Sequence, residues 1–120
     1  MKRKSFEDMA CPVAQSLEIV GEWWTPLILR DILLKGLNRF DDIQRSLDIA
    51  PTVLTSRLNH LVDNGLLERR QYSDRPPRSE YIATEAAEDF VPVLKALAKW
   101  GDKWTTVPSE TVPSETAPRS

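Results

Sequence analysis

The side chains best suited to chemistry lie between residues 49 and 83, and they suit contact with nucleic acid. An amphipathic segment opens at Pro51 and places leucines on one face. The opposite face carries short polar side chains, namely Thr52, Thr55, Ser56, Asn59, His60 and Asp63. Such groups can donate to or accept from base edges and phosphates without filling a groove. Taken alone, this face is equally typical of an ordinary solvated helix.

A hairpin pattern follows this helix and strengthens the nucleic-acid interpretation. The dipeptide Asn64-Gly65 predicts a turn, residues 66–70 predict a strand, and a second strand returns after a loop. Pro76-Pro77 stiffen that loop, so we expect Arg75 and Arg78 to be held outward, towards a phosphate or a minor groove. A polar-faced helix followed by such a hairpin is typical of a winged helix-turn-helix, which makes double-stranded DNA the leading candidate partner.

The overall charge argues against a DNA-binding protein, but the local charge does not. The chain has a net charge of -2 and a pI near 5.4, whereas phosphate neutralisation supplies most non-specific affinity for DNA. Between Pro51 and Ser79, basic side chains exceed acidic ones by two. They are Arg57, Arg69, Arg70, Arg75 and Arg78 against Asp63, Glu68 and Asp74. We therefore expect modest affinity with a marked dependence on salt.

The remaining elements predict a chain that is mainly α with a small β-hairpin wing. Helices are predicted at 13–20, from Thr25 as a cap to residue 35, at 40–47, from Pro51 to the Asn64-Gly65 turn, and from a Thr84 cap to Trp104 with a kink at Pro92. A length of 120 residues supports one domain, which we place at 1–105. Residues 106–120 repeat Thr-Val-Pro-Ser-Glu and predict a disordered low-complexity tail.

Several features that the sequence lacks predict the cellular compartment and the class of protein. It has no apolar run of about 18 residues, no secretory leader pattern and only one cysteine, so we expect a cytoplasmic protein without a membrane partner. His60 is the only histidine and has no nucleophile or metal ligands at useful spacing. We predict neither an enzyme nor a cofactor or metal site.

Apolar side chains near both ends exceed what one small domain buries. We therefore predict that some of them face a second copy of the chain. The candidates for this homodimer interface are Phe6, Leu17, Phe90, Leu94, Leu97, Trp100 and Trp104. The competing interpretation is that the C-terminal stripe belongs to the core of its own chain.

Several short motifs at consistent spacing carry a family resemblance. They are Cys11-Pro12-Val13, Gly21-x-x-Trp24-Thr25, Ile28-Leu29-Arg30, Gly36-x-x-Arg39-Phe40, Leu54-x-x-Arg57-Leu58-x-x-Leu61, Gly65-Leu66-x-x-Arg69, Pro77-x-x-x-Tyr81 and Thr84. Over residues 11 to about 104 the chain resembles the HxlR family of bacterial transcriptional regulators. The resemblance implies a winged-helix dimer that binds a pseudo-palindromic operator through DNA-facing helices and dimerises through its N- and C-terminal helices. Ala50 departs from the family, which often has a capping serine there, as do Ala83 and Ala86-Ala87 around the threonine that opens the last helix.

Site residues follow from the resemblance position by position. Thr52, Thr55, Ser56 and Asn59 would enter the major groove, Arg57 would flank it, Arg39 would anchor a phosphate, and Arg75 and Arg78 would form the wing contacts. The DNA-binding residues so predicted are Arg39, Pro51, Thr52, Thr55, Ser56, Arg57, Asn59, His60, Arg75 and Arg78. We expect a repressor. The alternatives are a winged-helix protein-interaction module without DNA binding and a regulator gated by a non-covalent small-molecule ligand.

Cys11 is the candidate for a redox-sensing residue. Several members of the family use a cysteine near this position to sense electrophiles or oxidants, and a thiol at the start of a helix is favoured as its thiolate. Without a second cysteine, its chemistry is restricted to a Cys11–Cys11 bridge between subunits, a mixed disulfide or alkylation. The alternative is an inert cysteine that serves as a small buried apolar residue.

Overall fold

The computed structural model describes residues 8–105 and contains six helices and one hairpin within that range. Phe6 and the tail at 106–120 lie outside the described residues. The elements are α1 (Pro12–Val20), α2 (Trp24–Leu34), α3 (Phe40–Leu47), α4 (Pro51–Asp63), β1 (Leu67–Asp74), β2 (Pro77–Ala83), α5 (Glu85–Glu88) and α6 (Val91–Trp104). The two strands pair antiparallel. The predicted mainly α architecture with a β-hairpin wing is confirmed.

The core is built where α2 crosses α4. Leu54, Leu58 and Leu61 are completely buried, and their spacing puts them on one face of α4. Ile28 and Leu29 of α2 are also completely buried in the same apolar cluster. Each such side chain contributes about 1.5–3 kcal/mol by leaving water. This packing fixes which side of α4 faces outward.

Local signals in the sequence set the ends of α3 and α4. Asp48 ends α3 in a left-handed conformation, with φ 52°, and its N–H donates to the Gln44 carbonyl. Pro51 then opens α4, where its missing N–H costs nothing. Ala50 precedes it without a side-chain cap, as its departure from the family pattern implied. After α4, Gly65 adopts φ +79°, which favours glycine, and turns the chain into β1.

The predicted cap of α2 is wrong. Thr25 lies inside the first turn of the helix and is completely buried, so it does not precede the helix. The first turn is held instead by Glu22, whose Oε1 accepts from the Trp24 N–H at 2.9 Å and from the Thr25 hydroxyl at 3.3 Å. A carboxylate before a helix satisfies free N–H groups and interacts well with the positive end of the helix.

The predicted long C-terminal helix is also wrong, because it consists of two helices. Thr84 does cap the first, since its Oγ1 accepts from the Ala87 N–H. That helix ends at Glu88, and α6 starts at Val91 with Pro92 in its first turn. Proline is tolerated there because first-turn N–H groups have no partner within the helix. Pro92 therefore marks a new helix and not a kink.

The wing is longer and its tip shorter than predicted. Strand β1 runs to Asp74 and β2 begins at Pro77, which leaves Arg75 and Pro76 as the turn, joined by a cis peptide bond. Arg78 lies on β2 opposite Ser73 and so belongs to a strand, whereas the sequence placed it in the loop. Among residues 8–105, no helix is long and apolar enough to cross a membrane.

The corner between α1 and α2 depends on Gly21. A Cβ atom at this position would lie 2.3 Å from the Leu17 carbonyl oxygen, closer than real Cβ atoms come to any atom. Gly21→Ala should therefore lower the free energy of unfolding by about 1–3 kcal/mol, as overpacking does. Chemical denaturation measures this loss.

Gly101→Ala is the matched control for that substitution. A Cβ at Gly101 would meet nothing within 4 Å inside helix α6, so this change should raise stability by about 0.5–1 kcal/mol. Equal effects of the two substitutions would show that the corner does not need a glycine.

Candidate nucleic-acid interface

Helices α3 and α4 with the short turn between them form a helix-turn-helix, and α4 offers one face to solvent. Pro51, Thr52, Thr55 and Ser56 are exposed on this face, opposite the buried leucines. Strand β1 packs on α4 and strand β2 packs on α3, which places the wing beside α4. The structure therefore brings the predicted helix contacts and the wing onto one side of the molecule.

Asn59 lies at the edge of that face and is joined to the wing. The Arg69 guanidinium of β1 donates to Asn59 Oδ1 and, at 3.4 Å, to the Tyr81 hydroxyl of β2. The same guanidinium lies 5.7 Å from the centre of the Tyr81 ring. Arg69 was missed as a site residue, although it was counted in the local charge, because its partner is ten residues away on another element. It fixes the wing against α4.

His60 lies differently from the prediction. It is half-buried, and its Nε2–H donates to the Ile19 carbonyl of α1 at 2.9 Å. A carbonyl only accepts, so the ring carries a proton on Nε2. The ring is thus directed towards the α1 end of the fold and not towards the exposed face of α4.

Arg57 is paired within the chain. Its Nε lies 3.9 Å from Glu22 Oε1, too far for a hydrogen bond, and this Nε is buried with no hydrogen-bond partner among the described residues. The contact is therefore an ion pair between two partly exposed side chains, of the kind that contributes about 0–1 kcal/mol.

Most arginines around the wing also have partners within the chain. Arg70 on β1 bonds Glu80 on β2 at 2.8 Å, and Arg78 lies 3.6 Å from Asp41 of α3. Arg39 stacks on the Tyr72 ring at 4.3 Å. Arg75, at the tip of the hairpin, forms no ion pair with another residue of the described range 8–105, so its charge is the one most available to a phosphate.

A cleft of about 260 Å³ opens between the start of α3, the middle of α4 and the wing. Its lining residues are Phe40, Asp41, Thr55, Tyr72, Pro77, Arg78, Ser79 and Tyr81. The cleft brings Thr55 of the helix and Arg78 of the wing together. Within the described part of the chain, no group of histidine, cysteine, aspartate and glutamate side chains could hold a metal ion.

The residues predicted for a dimer interface fall into two groups. Leu17 of α1 and Leu97, Trp100 and Trp104 of α6 are exposed, by 40% to 65%. Leu94 is only 6% exposed and belongs to the core of its own chain, and Phe90 packs against that core. Leu94 and Phe90 therefore fit the competing interpretation, in which these side chains belong to the core of their own chain.

Cys11 lies at the N-cap of α1, directly before Pro12, and is partly exposed. Its own carbonyl accepts the first hydrogen bond of the helix, from the Gln15 N–H. The thiol belongs to the residue that opens the helix and makes no side-chain hydrogen bond to the first N–H groups of α1.

Comparison with known proteins gives consistent matches. The sequence profile of the HxlR-like helix-turn-helix matches residues 19–109. An uncharacterised HTH-type transcriptional regulator, Rv3095 from Mycobacterium tuberculosis, is 44% identical over 96 residues, which cover 80% of this chain. The chain spans only about 60% of the length of that relative.

Solved structures agree with the sequence matches. The Pseudomonas aeruginosa protein PA1374, solved as a candidate transcription factor, is 57% identical with a TM-score of 0.62, and the match covers 80% of this chain and 65% of that one. The redox regulator HypR, solved in its oxidised form, is 28% identical with a TM-score of 0.70, and the match covers 81% of this chain and all of that one.

The contact between Arg69 and Asn59 should hold the wing in place. Asn59→Leu removes the acceptor while it keeps the size of the side chain, so amides of residues 67–83 that bond across the hairpin should exchange with solvent up to about tenfold faster, the effect of one hydrogen bond. Hydrogen–deuterium exchange measures this change. Ser56→Ala, on the exposed face of the same helix, is the control and should leave these rates unchanged. Equal rates in both variants would show that the wing is held without Asn59.

Proposed function

The chain belongs to the family of HxlR-like helix-turn-helix transcriptional regulators, and on that basis we propose that it binds a pseudo-palindromic operator as a homodimer and represses a neighbouring operon. It is a transcription regulator and not an enzyme. The observation that carries the proposal is the exposed polar face of α4, which lies beside a wing whose tip carries Arg75, an arginine without an ion pair among residues 8–105.

The contacts with DNA divide by chemistry. Base edges in the major groove meet the hydroxyl groups of Thr52, Thr55 and Ser56. Pro51, in the first turn of α4, lies next to the DNA backbone. Asn59 acts from the edge of this face with its Nδ2, since Arg69 occupies its Oδ1. His60 is not among the proposed DNA-binding residues, because its ring donates to the Ile19 carbonyl.

The arginines contribute unequally to phosphate binding. Arg75 carries the largest share, because no acidic side chain within residues 8–105 pairs with it. Arg39 can contact a phosphate from the start of α3 while it stays on the Tyr72 ring. Arg57 pairs with Glu22 and Arg78 pairs with Asp41, which neutralises part of their charge. These two arginines therefore contribute less to phosphate binding.

The second copy of the chain covers the exposed apolar surface of α1 and α6. This surface contains Leu17, Leu97, Trp100 and Trp104, and an exposed apolar area of this kind is unusual in a monomer. In this proposal the DNA-binding and dimerisation domain is the one predicted at residues 1–105. Two α4 helices in the dimer then meet two half-sites about 34 Å apart. The protein acts in the cytoplasm.

Cys11 is the proposed site of the signal. Its place at the N-cap of α1 and its partial exposure support reaction with an electrophile or oxidant, as does the similarity to the redox regulator HypR. In the oxidative case two Cys11 thiols of the dimer lose two protons and two electrons to form one disulfide. The change at α1 then alters the spacing of the recognition helices and releases DNA.

Binding to the promoter DNA beside the gene tests the core of this proposal. Fluorescence anisotropy over a range of salt concentrations should show saturable binding of two chains per operator. Arg75→Ala should reduce the slope of log affinity against log salt by about 1, the contribution of one phosphate contact. Lys99→Ala removes the same charge from α6 and should leave the slope unchanged. Absence of binding to any duplex would favour a winged-helix protein-interaction module, which the acidic net charge also suits.

The signal is tested by treating the bound complex with diamide, which accepts the two electrons and two protons that the thiols lose. Wild-type protein should release the operator, with an affinity at least about tenfold lower, whereas Cys11→Ser should keep it. Mass spectrometry identifies the product on Cys11. If both proteins stay bound after treatment, Cys11 is structural and a non-covalent ligand becomes the candidate signal.

A further inference from the structure

Two polar contacts join the α1–α2 corner to the recognition helix α4. His60 donates to the Ile19 carbonyl in the last turn of α1, and Arg57 pairs with Glu22, which follows α1. Residues 57 and 60 are three apart on α4 and therefore neighbours on one side of the helix. The corner is thus held by α4 at two points, one turn apart.

The corner is well suited to hold α4 because Glu22 is itself fixed. Its Oε1 accepts from the Trp24 N–H and from the Thr25 hydroxyl, and Thr25 is completely buried. The carboxylate that meets Arg57 is therefore tied to the first turn of α2. Movement of the corner must change both the ion pair and the contact between His60 and the Ile19 carbonyl.

Within residues 8–105, helix α1 buries little of its apolar surface against the other elements. Its only buried side chain is Ala14, while Val13 and Leu17 are exposed. Ile19 and Val20, at its C-terminal end, pack partly against the core. Apolar packing tolerates small rotations, whereas a hydrogen bond of 2.9 Å depends on direction. The hydrogen bond from His60 is therefore a directional part of the attachment, and the ion pair between Arg57 and Glu22 lies beside it.

We propose that Glu22 and His60 are positioning residues that fix the orientation of α4 relative to α1, and thereby determine which spacing between operator half-sites the dimer accepts. The inference rests on the proposed function, in which α1 contributes to the dimer interface and α4 contacts DNA. Since each α4 must enter its own half-site, a rotation at either corner changes the separation of the two helices. Arg57 contributes through its ion pair with Glu22, which holds α4 close to the first turn of α2.

The test compares two DNA duplexes, the preferred operator and the same operator with one base pair inserted between the half-sites. The quantity measured is the ratio of the two affinities, because a loss of folded protein or a uniform change of charge cancels in that ratio. Glu22→Gln keeps the acceptor for the Trp24 N–H but removes the charge that faces Arg57. His60→Leu replaces the imidazole by an apolar side chain of similar size and so removes the N–H donor.

Combining the two substitutions should reduce the ratio by about fivefold, the scale of one or two intramolecular polar contacts. His60→Gln, which restores an N–H donor, should recover part of the wild-type ratio. A ratio that stays at the wild-type value in the combined variant overturns the proposal, even if both affinities fall together.

A second measurement needs no DNA and separates failure of this inference from failure of the proposed function. Cys11 is the only cysteine in the chain, so a nitroxide spin label attaches there alone, at the far end of α1 from Ile19. Relaxation enhancement of the amides at 51–63 then reports how α4 lies relative to α1. The pattern should change in the combined variant and return towards wild type with His60→Gln. An unchanged pattern overturns the inference, whether or not the protein binds DNA.

Discussion

The rotation of α4 about its own axis is the constraint on which the rest of the structure depends. Leu54, Leu58 and Leu61 must all be buried, and together they leave the helix one orientation on α2. Thr55 and Ser56 consequently face outward, and Arg57 and His60 face the α1–α2 corner. A rotation by one residue would bring polar side chains into the core without partners, at about 1–3 kcal/mol each, which is a large part of the stability of a small domain.

Charge pairing on this surface follows from the same geometry. Three of the five arginines in residues 51–79, namely Arg57, Arg70 and Arg78, have acidic partners outside that range, at Glu22, Glu80 and Asp41. A count along the sequence therefore overstates the charge that a phosphate would meet. The protein combines an acidic overall composition with a surface of α4 and the wing on which few positive charges lack a partner among residues 8–105. For the proposed function, this suits reversible binding more than tight non-specific binding.

The parts of the fold that could be predicted from sequence are those set by neighbours along the chain. Apolar spacing and proline at a helix start located α3 and α4, and the Thr84 cap was correct. The errors arose where a distant partner decides the outcome. Thr25 is buried in the first turn of α2 while Glu22 accepts from that turn, and Leu94 lies in the core at a position that the predicted single helix did not fix. A helical stripe carries no information on which neighbour covers it.

The site shows the same division. The exposed face of α4 followed directly from the periodicity of its leucines, so Thr52, Thr55 and Ser56 lie where they were expected. The orientation of His60 and the role of Arg69 depend on atoms of α1 and of the wing, so the residues next to them in the sequence do not predict either. The wing has a further consequence. A two-stranded sheet leaves strand edges open, and such edges invite pairing with other chains. Here β1 carries Glu68, Arg69 and Arg70, and the backbone of Arg39 bridges to β2 at Glu80. Charged side chains on β1 and the bridge to β2 thus work against pairing of the wing with other chains, so replacing those charges by apolar residues would cost solubility.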